Sequence, residues 1–335
     1  MRLLDGGVAH LACVIEDDLA GRDTGLQKPH INALADLASC VLACRNVNTS
    51  EWIAILPRKT QDDKSKERFI SRFLSNKLID PISVMEGFIP EMVAMMSASN
   101  QTIILMLDQS KISEGFECLM VSLRIGERAI SVAWRVFATS GPIGFEDQKL
   151  LLDRVKDMMP AGIPILLSAD RFYGTSAMIS WCQQAGWQYR IRLKSNLILD
   201  HEGGEITTGQ AASLKITQLE NATFNNTDVK THMGILHEAG HPEPWIIAMD
   251  CLPSKYKILD YGMRWGIECL FSDFKSRGFS ITNTHLIHAD RLERLILVLT
   301  IALYWAVSTG MQPRVNTKAT KKNETGLWFL CLRMA

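Results

Sequence analysis

The stretch from 102 to 193 constrains this chain more than any other. Three short apolar runs, at 102–107, 118–125 and 129–137, follow one another directly. Then come a helical pattern at 145–159, an apolar run at 164–168, a helix at 176–185 and a last run at 188–193. Strands in immediate succession need only tight turns and pair antiparallel, whereas strands separated by helices need crossovers and pair in parallel. The segment therefore predicts an α/β fold with a mixed sheet, a meander first and parallel crossovers after it, flanked by helices.

The rest of the chain is organised around that block. Up to about residue 95 the periodicity is helical, with Ile31, Leu34, Leu37 and Val41 on one stripe and Phe69, Ile70, Phe73 and Leu74 on another; Asn48 offers a cap between them. Within it, 58–77 is locally basic, which suits either a solvated helix face or a DNA-contacting helix. Residues 199–256 are polar and turn-rich with short apolar pieces, and two helices are expected at 258–277 and 289–309. The expected divisions are an N-terminal helical, DNA-binding region (1–95), a first part of the core (96–198), a β-rich insertion (199–256), covering helices (257–310) and a short tail (311–335). The strand order within the core is the ribonuclease H-like one.

Composition narrows the function less than its distribution does. The 335 residues are 47% hydrophobic and 21% charged, enough apolar side chain for a buried core and far from a disordered composition. The 36 basic and 36 acidic side chains cancel overall, so any surface that attracts nucleic acid must be regional; from 255 onward 12 basic residues face only 6 acidic ones. The eight cysteines have no C-x-x-C spacing and read as reduced thiols of a cytoplasmic protein. No signal peptide is visible at the start, and the apolar run at 295–307 is shorter than the roughly 20 residues a bilayer requires, so a core helix and no membrane partner are expected.

Two aspartates end apolar runs: Asp108 after the first, Asp170 after the fourth. Both are expected at the carboxyl edge of the sheet, where α/β folds carry their chemistry, although aspartate is also an ordinary strand-ending residue. A second group is Tyr261, Arg264, Glu268 and Lys275. On one continuous helix their offsets fall at roughly 0°, 300°, 340° and 320°, a single narrow stripe. Cations beside a carboxylate suit a site that takes phosphate through the cations and metal through the acid. Arg190, Arg192 and Lys194 alternate along a strand and share a face that suits a DNA backbone, or else guards an edge against strand pairing.

The spacing Tyr261-x2-Arg264-x3-Glu268-x6-Lys275 resembles the Y-R-E-K signature of IS4-type DDE transposases, and the run Ala169 to Gly174 is similar to that family's second-aspartate block. The resemblance runs from about 45 to 310. It implies a ribonuclease H-like fold with Asp108, Asp170 and Glu268 as the acidic triad, and a β insertion before the glutamate. Tyr261, Arg264 and Lys275 are implied to hold transposon-end DNA. It further implies two Mg2+ (or Mn2+) ions, double-stranded DNA as partner, and a homodimer in the synaptic complex. Chemistry fits: cutting a phosphodiester needs an activated nucleophile, neutralised charge and an in-line leaving group, which paired hard cations held by carboxylates supply. The tail after 310 lacks the extended dimerisation region of larger members, so a truncated or frameshifted copy is an open reading.

Three other readings compete. His237, Glu238 and His241 match H-E-x-x-H, the zinc-protease motif, but Gly240 inside it and Pro242 after it oppose the helix that motif requires. A structure-selective nuclease of the same fold would not need the Tyr261/Arg264/Lys275 pattern. A catalytically dead DNA-binding descendant would not need all three acids.

Overall fold

A computed structural model describes residues 6–59, 62–96, 102–238 and 243–311. The chain opens with six helices: α1 (Gly7–Ala20), α2 (Lys28–Cys44), α3 (Thr49–Ile55), α4 (Asp63–Leu74), α5 (Pro81–Glu86) and α6 (Ile89–Met96). Their starts follow from local chemistry. Asn48 caps α3 by accepting from Ser50 N, Asp62 caps α4 by accepting from Lys64 N and Ser65 N, and α5 has an Asp80 cap followed by proline in its first turn. Ile31, Leu34, Leu37 and Val41 are all buried on α2, as their spacing predicts.

The sheet follows as β1 (Ile103–Ser113), β2 (Phe116–Ile125), β3 (Arg128–Phe137), α7 (Phe145–Met158), β4 (Ile165–Ala169), α8 (Ser176–Ala185) and β5 (Gln188–Arg192). Next come β6 (Ile198–His201), β7 (Gly204–Thr207), α9 (Thr208–Ser213), β8 (Gln218–Phe224), β9 (Lys230–Leu236) and β10 (Trp245–Met249). Ten strands form one mixed sheet in the order β3-β2-β1-β4-β5-β10-β9-β8-β6-β7. β1, β2 and β3 are the antiparallel meander, β4 pairs parallel with both β1 and β5, and β10 closes antiparallel on β5. The strands between 198 and 249 thus continue the same sheet through β10.

After β10 lie α10 (Lys255–Leu259), a 3-10 turn (Asp260–Arg264), α11 (Trp265–Phe274) and, past a short turn, α12 (Ala289–Met311). α12 passes the length and composition test for a membrane span, yet 78% of its most apolar window is buried against the rest of the protein. It lies across α2 and β3, with Leu295, Ile296, Leu299 and Leu303 at 2% exposure or less. Each such side chain contributes about 1.5–3 kcal/mol by leaving water, so one charge at Leu299 would uncouple the helical region from the sheet.

The continuous helix expected over 258–277 is replaced by three shorter pieces. Tyr261 and Arg264 sit in the tighter 3-10 turn, and α11 stops at Phe274, leaving Lys275 just past its end. The stop is local: Phe279 N donates to Asp273 O at 2.9 Å, and a Cβ at Gly278 would lie 2.2 Å from that same carbonyl. Only glycine lets the chain fold back so closely.

Candidate active site

Asp108 and Asp170 become neighbours through register. β1 and β4 run parallel with Leu107 opposite Ala169, so the next residue on each strand is one of the two acids. β4 ends there; a turn in which Tyr173 N donates to Asp170 O (2.9 Å) carries the chain across the end of β5. Gly174 makes that crossing possible, because a Cβ would lie 2.4 Å from Arg192 O. Asp108 is steadied by its neighbour: Gln109 donates to Gly141 O (3.4 Å) and accepts from Ile143 N (3.0 Å), which pins β1 to the loop before α7.

Glu268 arrives from the other direction, on the first turns of α11, which packs over β1 and β3. Arg264, one helical turn earlier, joins the acids. Its Nη1 donates to Asp108 Oδ2 at 2.9 Å and its Nη2 donates to Glu268 Oε1. The side chains are 10% (Arg264), 19% (Asp108) and 37% (Glu268) exposed, so the cluster deepens from a half-open rim at Glu268 to a nearly dry floor. Lys275 reaches the same strand, with its Nζ donating to Ser110 Oγ at 2.6 Å, two residues beyond Asp108. Of the four residues of the sequence stripe, Arg264 thus contacts Glu268 and lies 5.9 Å from the Tyr261 ring, while Lys275 joins β1 separately at Ser110.

Electrostatics follow the burial. Desolvation raises the Asp108 carboxyl above its ordinary value; Arg264 and Gln109 N oppose it, and Asp170 adds to it. Burial works against the Arg264 charge, but Tyr261, Asp108, Glu268 and Asp170 outweigh it and hold the guanidinium protonated. Burial lowers the Lys275 ammonium, with Glu117 and Asp108 opposing. Tyr261 is buried in an edge-to-face contact with Trp245, 5.3 Å between centroids.

The structure corrects one member of the cationic strand. Arg190 is 1% exposed and locked in place: it donates to Asp250 Oδ1 (2.6 Å), Tyr189 O (2.6 Å) and Lys257 O (3.1 Å). Strand alternation does put it on the face of Arg192, but α10 covers that end of the face, so it does not reach solvent or DNA. β5 is paired on both sides, so these cations do not guard a sheet edge against strand pairing; half-buried Arg192 and exposed Lys194 lie at its carboxyl end. Arg192 donates to Glu243 Oε2 (3.3 Å), and the Lys194 ammonium lies 5.2 Å from the Phe172 ring centroid.

Other residues join the site: Arg171 and Tyr173 from the run Ala169 to Gly174 noted in the sequence, and Glu243, which carried no sequence signal. Tyr173 is buried with its hydroxyl unpartnered, and burial, then Asp108 and Asp170, push that phenol well up. Arg171 donates to Glu243 (2.9 Å), so Glu243 receives two arginines beside the second aspartate. Nothing in the sequence tells that residue 243 returns to residue 171. His237 follows β9 outside any helix, with Nε2 3.1 Å from Ala212 O, while His241 lies outside the described residues. The zinc-protease arrangement on a helix is therefore not what His237 and Glu238 adopt.

Three carboxylates are hard oxygen donors of the type Mg2+ and Mn2+ prefer. Among the described residues, however, no group of three or more His, Cys, Asp or Glu side chains is spaced to hold a metal ion. Asp108 and Glu268 close on a guanidinium instead. The donor chemistry thus fits a divalent cation, while in this arrangement Arg264 holds the place between Asp108 and Glu268.

No curated protein matches the chain. Residues 144–305 match the family model described as the transposase DDE domain, a segment that holds Asp170, Tyr261, Arg264, Glu268 and Lys275 and supports reading the chain as a DDE transposase.

Proposed function

We propose that the protein is the transposase of an IS4-type insertion sequence, cutting phosphodiester bonds at the element's ends and joining the freed 3′ ends to target DNA. The observation that carries this reading is the sharing of Arg264 by Asp108 and Glu268 of α11, with Asp170 following the β4 residue that pairs beside Asp108. The order β3-β2-β1-β4-β5 supports a ribonuclease H-like core, and the family match covers the second half of the site.

In this reading Asp108, Asp170 and Glu268 hold the divalent ions, Mg2+ or Mn2+. When bound, such ions supply charge neutralisation and a nucleophile at neutral pH. The chain's own residues do the rest. Arg264 and Lys275 bind phosphate oxygens, Arg264 by its two-pronged fork. Tyr261, buried beside Arg264, orients that fork, and Arg192 and Lys194 extend the cationic track at the carboxyl end of β5. Double-stranded DNA is the substrate, a homodimer pairs the two ends, and the bacterial cytoplasm is the compartment. A structure-selective nuclease would use the same acids, and the substrate distinguishes the two.

The test is incubation of the full chain with Mg2+ and a plasmid bearing the inverted repeats that flank its gene. Cleavage at the repeat ends and joining to target DNA are expected, and Asp108→Asn, Asp170→Asn or Glu268→Gln should each lower the rate on the order of a thousandfold while end binding persists. Cleavage indifferent to the repeats would favour the nuclease. Undiminished cleavage by any one variant removes that residue from the triad.

A further inference from the structure

The cluster that would take a divalent cation already contains a cation. Both oxygens of Asp108 are engaged: Oδ1 accepts from Gln109 N (2.9 Å) and Oδ2 accepts from Arg264 Nη1 (2.9 Å). Glu268 Oε1 accepts from the other arm of the same guanidinium. A fork that grips one carboxylate with each arm holds them apart at its own width and uses the lone pairs a metal would need. A guanidinium and a divalent ion cannot share that space, because like charges a few ångströms apart in a half-dry site repel strongly.

Arg264 also has somewhere to go. It sits at the junction between the 3-10 turn and α11, and its outer partner Glu268 lies at the half-open rim. A guanidinium binds phosphate with the same two-pronged geometry that it uses on carboxylates, so a phosphodiester arriving at the rim offers an equivalent partner.

We propose that Arg264 is a displaceable occupant of the metal site. In the DNA-free protein it bridges Asp108 and Glu268 and keeps divalent ions out; a DNA phosphate draws its fork away and releases both carboxylates for the metal. Metal and DNA binding are then coupled through one side chain, and the coupling is reciprocal. The free enzyme is kept from loading metal and cutting DNA at random. This inference rests on the reading of Asp108, Asp170 and Glu268 as ligands.

The test is titration of the DNA-free full chain with Mn2+, following the free ion by electron paramagnetic resonance. Arg264→Gln should bind Mn2+ about tenfold more tightly than the wild type. Arg264→Lys, whose single ammonium cannot grip two carboxylates as a fork does, should lie between them and decides the matter if the glutamine variant does not fold. Adding duplex DNA should tighten Mn2+ binding more in the wild type than in either variant. If folded variants bind Mn2+ no more tightly than the wild type, while Asp170→Asn weakens binding in every background, the proposal is wrong and the ligand reading stands. If Asp170→Asn has no effect in any background, the ligand reading fails and the proposal falls with it.

Discussion

Two buried arginines sit at two joints of this molecule, and they are held in different ways. Arg190 ties β5 to the segment from the end of β10 through α10 by two carboxylates, Asp250 (2.6 Å) and Asp260 (3.9 Å), and by the backbone carbonyls of Tyr189 and Lys257. Arg264 ties β1 to α11 through side-chain carboxylates alone, one of them at a half-open rim. Backbone carbonyls are fixed by the fold and have no second use. Carboxylates can exchange one cation for another. Burial and ion pairing alone therefore do not separate a structural arginine from a functional one; the nature and accessibility of the partners do.

The largest expected effect on folding falls on the first joint. Arg190→Met removes the ion pair of Asp250, which keeps only the Tyr189 N–H, and takes donors from two carbonyls, and should cost about 3 kcal/mol or more in denaturant unfolding. If that variant unfolds like the wild type but binds DNA more weakly, Arg190 belongs with the DNA-contacting residues and the comparison fails. Arg264→Gln should cost less, about 2 kcal/mol, because water at the half-open rim can replace the lost partner of Glu268, although the buried Asp108 loses its cation. Its thermal midpoint should rise with added Mg2+ more than that of the wild type, since ligand binding to the folded state alone stabilises it. Equal Mg2+ responses would mean that the two joints do not differ in the way described. The smallest effects belong to the exposed track: Arg192→Ala and Lys194→Ala should leave the unfolding midpoint in place and each reduce the log–log salt slope of DNA binding by about one unit. An unchanged slope would leave both residues as solvated charges at the carboxyl end of β5.

Much of the sheet was legible because burial on both faces imposes long apolar runs that end abruptly. The runs at 118–125 and 129–137 correspond closely to β2 (Phe116–Ile125) and β3 (Arg128–Phe137), and the apolar run ending before Asp170 is β4. The two aspartates could be paired on paper because each closes an apolar run of a parallel pair, although only Asp170 follows the end of its strand, while β1 runs on past Asp108 to Ser113. What the pattern could not show was anything decided by chain return. The helix expected over 258–277 stops at Phe274 because Gly278 folds back on Asp273, a contact with no periodic signature. The Arg190 face is covered by α10, whose position depends on β10 joining β5, and that pairing joins segments more than fifty residues apart. Spacing put Arg264 beside Glu268, but only the packing of α11 over β1 brings Asp108 within its reach.

The central claim is that Asp108, Asp170 and Glu268 form one metal-dependent site that Arg264 occupies until DNA arrives. The most direct measurement is anomalous scattering from Mn2+ in crystals of the protein grown with and without its end DNA. The account predicts peaks bounded by Asp108, Asp170 and Glu268 in the DNA complex, with the Arg264 guanidinium on a phosphate, and no such peaks without DNA. A complex in which Mn2+ lies away from these carboxylates, or in which Arg264 still bridges Asp108 and Glu268 beside bound DNA, would contradict it.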